Sequence, residues 1–180
     1  AEYRRDGVVF GEVLRRIEKT QASAGLAKGS ITYLRRRGWR AIKRLGELGD
    51  AGYVELAAGV LLAIEDGDGG EERTTSRYDY ATRSYRTGRF PPFSGMAAFS
   101  NVLFGKSARV SFDARTGRMM IEGDTPHESP AREEAFPKLW DAAPRQLIRL
   151  LLEGRCALVH AFAVKALKAN AAHATLLELP

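Results

Sequence analysis

A chain of 180 residues is long enough to bury one sizeable core, and 44% hydrophobic with 28% charged residues is an ordinary globular balance. No apolar run approaches the ~20 residues of a membrane-spanning helix, no signal peptide is visible at the start, and a lone cysteine, Cys156, excludes an internal disulfide and fits a reducing cytoplasm. A formal charge of +6 and a pI near 9.7 favour anionic partners without naming one. The missing initiator Met fits a processed or excised piece of a larger protein.

Residues 8–22 carry Val9, Phe10, Val13, Leu14 and Ile17 at helical spacing, which predicts a first helix with those residues inward. "SAGLAKGS" then reads as a loop ending in Ser30, a capping residue for a second helix over 31–48. The seam of that helix is Ile31, Leu34, Gly38, Ala41, Ile42 and Leu45. Gly46 and Gly49 close it, and Asp50 is placed to cap a third helix over 53–65 with Val54, Ala57, Ala58, Leu61 and Leu62 inward. So short a turn makes the second and third helices antiparallel neighbours.

Residues 67–92 then change character. The glycine-rich stretch has few aliphatics and reads as a long, irregular, partly mobile insertion in which tyrosines alternate with arginines. A short helix is expected in "FSGMAAFSNVLFG", followed by a β-hairpin in which Val110 and Phe112, then Met119 and Ile121, alternate across a glycine-containing turn. Residues 124–132 form a polar linker. Helices are expected over 133–142, 144–153 and 156–170, the last with Leu158, Phe162, Val164, Ala166 and Leu167 as its apolar face. The organisation is N-terminal helices (1–66), the Tyr/Arg insertion (67–92), a short helix with a hairpin (93–123), a linker (124–132) and C-terminal helices (133–180), forming one compact domain or a segment of a larger protein. Helical hairpins that bury a face only against their neighbours follow α-solenoid logic, so the expected fold is mainly α with a long irregular insertion and one β-hairpin.

Two stretches, "SITYLRRRGWRAIKRLGELGDAGYVELAAGVLL" and "FPKLWDAAPRQLIRLLLEGRCALVHAFAVKALKAN", together resemble the HEAT-like helical region of bacterial multidomain proteins that carry a WGR domain. The Trp-Gly-Arg signature itself is absent, residues 38–40 reading Gly-Trp-Arg. The resemblance implies a helical scaffold that meets a protein partner or the remainder of a larger chain.

The first candidate binding surface lies on the second helix, where six Arg or Lys fall within ten residues. Opposite the apolar seam stand Arg36, Arg37, Arg40, Lys43 and Arg44, with Tyr33 among them, and no acid occurs between Ser30 and Gly46. Helix surfaces gain from opposite charges four apart, so a one-sign stripe needs an offset. It could come from Glu47, Asp50, Glu55 or Asp66, from an acidic protein, or from nucleic acid. The second candidate is the insertion, with Arg77, Tyr78, Tyr80, Arg83, Tyr85 and Arg86. Interleaved arginine and tyrosine suit single strands, and equally suit a loop that packs its tyrosines on its own domain. Direct DNA or RNA binding by both features together requires them to be adjacent in the fold.

Signals for chemistry are few. Cys156 and His160 stand four apart on one helical face, so a thiolate–imidazole pair is conceivable if exposed, whereas the apolar surroundings favour a buried thiol and a core histidine. His127 and His173 lie in the linker and the tail, and no zinc spacing, phosphate-binding glycine loop or nucleophile elbow occurs. Trp39 and Trp140 have core spacing. No cofactor, metal, membrane or small-molecule ligand is indicated, and the expected location is the cytoplasm.

Overall fold

The computed structural model describes residues 6–19, 27–123, 125–126 and 129–170. His127, His173, the tail after residue 170 and most of the loop after the first helix lie outside the described residues.

Glycine decides how the first helix packs. α1 (Gly7–Lys19) crosses α3 (Gly52–Ala63) with Gly7, Gly11 and Gly59 at the contact. A Cβ on Gly59 would stand 1.8 Å from the Gly7 carbonyl oxygen, and one on Gly11 2.0 Å from that of Gly59. Only bare backbone allows such an approach. The buried face of α1 is therefore Gly7, Phe10, Gly11, Leu14 and Glu18, while Val9 and Val13, expected inward, are about half exposed.

α2 (Lys28–Glu47) starts before Ser30, on an extended Ala27, so Ser30 sits in the first turn and does not cap. The helix ends on Gly49 at φ 67: the Gly49 amide bonds to the Gly46 carbonyl and the Asp50 amide to that of Leu45, a Schellman closure. Asp50 Oδ1 then accepts the Gly52 amide at 2.8 Å, as expected of a residue that starts the next helix. α3 is buried on nearly every side and touches α1, α2, α4 (Ala97–Phe104), α5 (Pro137–Asp141) and α6 (Pro144–Glu153). A central helix enclosed by others differs from a row of stacked hairpins in which each pair touches only its neighbours.

The insertion, expected to be irregular, is a hairpin. β1 (Arg73–Asp79) and β2 (Ser84–Phe90) pair antiparallel along their full lengths. β2 also pairs with β4 (Met119–Glu122), and β4 with β3 (Val110–Phe112), giving an antiparallel sheet in the order β1-β2-β4-β3. The β3–β4 hairpin matches its alternation, with Met119 and Ile121 buried. β1–β2 hid its strands because both faces are wet and polar, although Thr74, Thr75, Tyr78, Tyr85 and Thr87 favour extended backbone.

In the C-terminal part, α5 is shorter than expected. Pro137 occupies its first turn and Phe136 before it is left-handed at φ 53, so no helix can run through from residue 133. α6 has the expected bounds. α7 (Ala157–Lys168) buries Val159, Phe162, Ala163, Ala166 and Leu167, leaving Leu158 and Val164 more than one-third exposed. Its first amide, Ala157 N–H, donates to Asp66 Oδ1 at 2.9 Å, and Asp66 N–H donates to the Arg155 carbonyl at 3.2 Å, so the end of α3 is stitched to the start of α7. Trp140 is fully buried against Tyr53 and Phe162, as its spacing implied. No described helix is long and apolar enough to cross a membrane.

Two polar devices fix α1. Arg15 Nε and Nη2 reach the Asp68 carboxylate at 2.6 and 2.9 Å, and Lys19 joins them. Burial works to raise the Asp68 carboxyl, but the Arg15 and Lys19 bonds outweigh it and hold the group well below the usual carboxylate range. Stability from this cluster is complete above the unfolded carboxylate value near ~4 and is lost as pH falls below it. In urea titrations at pH 6 and pH 3, Asp68→Asn is therefore expected to show less acid-dependent loss than the wild type. At the same end of α1, Glu18 is buried with Oε1 accepting the Ala98 amide at 2.8 Å, at the N-terminus of α4, and with no partner for Oε2 among the described residues.

Candidate anion-binding face

The run Arg35-Arg36-Arg37 divides into structural and exposed parts. Arg35 turns inward and donates to the carbonyls of Ile17 and Glu18 at 3.3 and 2.5 Å, satisfying the last turn of α1. Ile31, Gly38 and Ile42 are buried; Leu34, Ala41 and Leu45 are half-buried. On the opposite side Tyr33, Arg37, Arg40, Lys43 and Arg44 are exposed, and Arg36 is half-buried. The predicted basic face is thus one surface along α2.

The acids that could offset it each make a bond of their own. Glu47 forms an ion pair with Lys43 at 3.5 Å, a long and exposed contact. Asp50 bonds to the Gly52 amide, Glu55 Oε2 accepts Gln146 Nε2 at 2.9 Å, and Asp66 holds the first amide of α7. No described carboxylate forms an ion pair with Arg36, Arg40 or Arg44.

The lower part of the face borders a cavity of about 280 Å³ between α2 and the β3–β4 turn, lined by Arg36, Trp39, Arg40, Lys43, Asn101 and Asp113 among others. Asp113 is the acid opposite the cations. Its Oδ1 accepts the Thr116 amide and hydroxyl, both at 2.6 Å, and the Arg115 amide at 3.1 Å. These bonds, led by the Thr116 hydroxyl, lower its pKa, and they commit its oxygen to the turn. Asn101 and Asp113 gave no sequence signal, because only tertiary packing brings their elements to α2.

The two basic candidates are not neighbours. Gly88 on β2 stands opposite Glu122 on β4, and Arg89 opposite Ile121. Along β4 from that rung lies the β3–β4 turn, against α2. Along β2 in the other direction lies the β1–β2 turn, with Tyr80 and Arg83. The turns leave opposite ends of the sheet, separated by roughly 8 residues of strand and hence on the order of 25–30 Å. A single surface built from both is not what the fold provides. Nor do the tyrosines pack on the core: Tyr80 and Tyr85 are largely exposed, and Tyr78 about one-third so.

Cys156 is 0% exposed, and burial raises its thiol pKa. His160 Nε2–H donates to the Gly154 carbonyl at 3.0 Å, so its bond goes to backbone and not to sulfur. A thiol-specific chromogenic reagent is expected to leave native Cys156 unmodified and to titrate it after denaturation; rapid reaction of the folded protein would show an accessible thiolate. Among the described residues no group of three or more His, Cys, Asp or Glu is placed to hold a metal. No family model, curated protein or solved structure matches the chain.

Proposed function

We propose that the protein is a non-catalytic binding module, one helical segment of a larger cytoplasmic scaffold, that presents the outer face of α2 to an acidic protein surface. The observation that carries this reading is the single-signed stripe in which Arg36, Arg40 and Arg44 form no ion pair with a described carboxylate. Exposed Tyr33 beside Arg37 and Arg40 supports a protein contact, since tyrosine and arginine dominate interface energetics.

The test is fluorescence anisotropy of a labelled glutamate-rich peptide and of duplex DNA across a salt series. The peptide is expected to bind at low salt and release as salt rises. Arg40→Glu/Arg44→Glu is expected to weaken it about tenfold or more, because reversing exposed charges removes steering and adds repulsion. Tighter binding of the duplex, also lost in that variant, would replace the acidic-protein reading with nucleic acid. Binding of neither would refute an anionic partner for this face.

A further inference from the structure

Aromatic rings are usually kept in a core, but Tyr78, Tyr80 and Tyr85, at the end of the β1–β2 hairpin, are 37%, 86% and 73% exposed. Tyr78 is the centre of the group. Its ring centroid lies 5.1 Å from that of Tyr80 and 5.2 Å from that of Tyr85, with interplanar angles of 84° and 68°. Edge-to-face contacts of this kind hold each ring in place against another ring. They also leave much of Tyr80 and Tyr85 open to water. The cluster is therefore ordered by its own contacts before anything binds it, which lowers the ordering cost of binding.

The charge around it has one dominant sign. From Arg73 to Phe90 the hairpin carries five arginines and one acid, Asp79. Arg83 is exposed in the turn between Tyr80 and Tyr85, in a left-handed conformation at φ 51. Arg86 is also exposed and, with Tyr78 and Tyr80, borders a cavity of about 600 Å³ that ends on Gly88, Met120 and Glu122. Gly88 leaves the floor low: a Cβ there would stand 2.7 Å from the Met120 sulfur. Such a volume lies in the range of small-ligand sites.

We infer that this hairpin tip is a stacking platform for single-stranded nucleic acid, with bases on Tyr80 and Tyr85 and phosphates beside Arg83, the exposed arginine of the turn between them. An open ring face accepts any planar base, and arginines beside it attract the phosphates that join successive bases. A duplex keeps its base faces stacked inside and has none to offer. The inference is independent of the proposal for α2, which lies at the other end of the sheet.

The test uses the full chain and fluorescein-labelled deoxythymidine and uridine oligomers of roughly 15 nucleotides, with a duplex of equal length as control. Single strands are expected to bind more tightly than the duplex. Tyr80→Ala/Tyr85→Ala is expected to lower that affinity about tenfold or more, since each lost stack is a separate loss. Tyr80→Phe/Tyr85→Phe keeps the rings and is expected to retain binding, and Arg40→Glu/Arg44→Glu on α2 is expected to retain most of it. Both tyrosines are exposed, so the melting temperatures of these variants should match the wild type, and the phenylalanine variant separates stacking from any folding effect. Absence of single-strand binding at low salt, preference for the duplex, or equal affinity in the alanine variant would overturn the inference. Loss confined to the α2 variant would overturn it too, by moving the contact to the helix.

Discussion

Gly59→Ala is expected to destabilise the protein more than any other single methyl group added at a glycine. The new Cβ would lie 1.8 Å from the Gly7 carbonyl oxygen, 2.2 Å from its carbonyl carbon and 2.7 Å from its Cα. All three are backbone atoms of α1, so no rotamer change relieves the overlap, and the helices must separate. Overpacking that moves side chains costs about 1–3 kcal/mol, and displacing a helix backbone from a buried face exceeds that range. At roughly 2–4 °C per kcal/mol for a chain of this size, calorimetry should show a fall of about 10 °C or more. Gly29 supplies the control: it lies exposed in the first turn of α2 with nothing within 4 Å of its missing Cβ. Gly29→Ala should be neutral or stabilising by up to about 1 kcal/mol, because alanine is the better helix former. Equal effects of the two changes would contradict the close crossing.

Glu18→Gln should stabilise the protein at alkaline pH and do little at acid pH. Burial is the main cause that raises the Glu18 carboxyl to about 7, with the Ala98 amide and the Arg35 charge pulling the other way. A folded-state value above the unfolded one means that the folded chain holds the extra proton. The associated stability is complete below about 4.5, declines as pH rises, and is gone above about 7. At about 1.4 kcal/mol per unit, the wild type should lose on the order of 3 kcal/mol across that window. Glutamine preserves the acceptor for Ala98 and has no charge to desolvate, so its unfolding free energy should stay nearly level. Denaturant titrations at pH 5 and pH 8 decide the matter; a wild type equally stable at both would mean that the carboxylate is solvated.

The elements that could be read from sequence are those whose signals are local. α6 has its expected limits because Pro144 starts it and Gly154 ends it. The β3–β4 hairpin follows from apolar alternation around Gly117, at φ 71. Reading failed where the deciding contact is distant. Glycines carry no hydrophobic signal, so the spacing places Val9 and Val13 inward along with Phe10 and Leu14, whereas Gly7 and Gly11 face α3. β1 and β2 are wet on both faces, so their periodicity has no apolar half to reveal it. For the candidate site, the outward side of α2 could be read from its 3.6-residue period, including the exposure of Arg40 and Arg44. That Arg35 serves α1, that Asp113 faces the cations, and that the tyrosines meet in solvent all depend on chain segments far apart in sequence.

The stitch between Asp66 and Ala157 has a kinetic side. It joins residues 91 apart, as does the bond between Glu55 and Gln146, and Tyr53 reaches Ala135 across 82. Closing loops of that length adds little to the thermodynamic balance, since closure entropy grows only with the logarithm of length. It weighs on speed instead, because distant pairings form after local ones and slow the search. α1 and α3 can find each other early in the chain, but α7 gains its first amide partner only after the whole sheet-bearing excursion has been brought back to α3. In pulse-labelled refolding, protection of the Ala157 amide is therefore expected to lag behind that of the α1–α3 crossing.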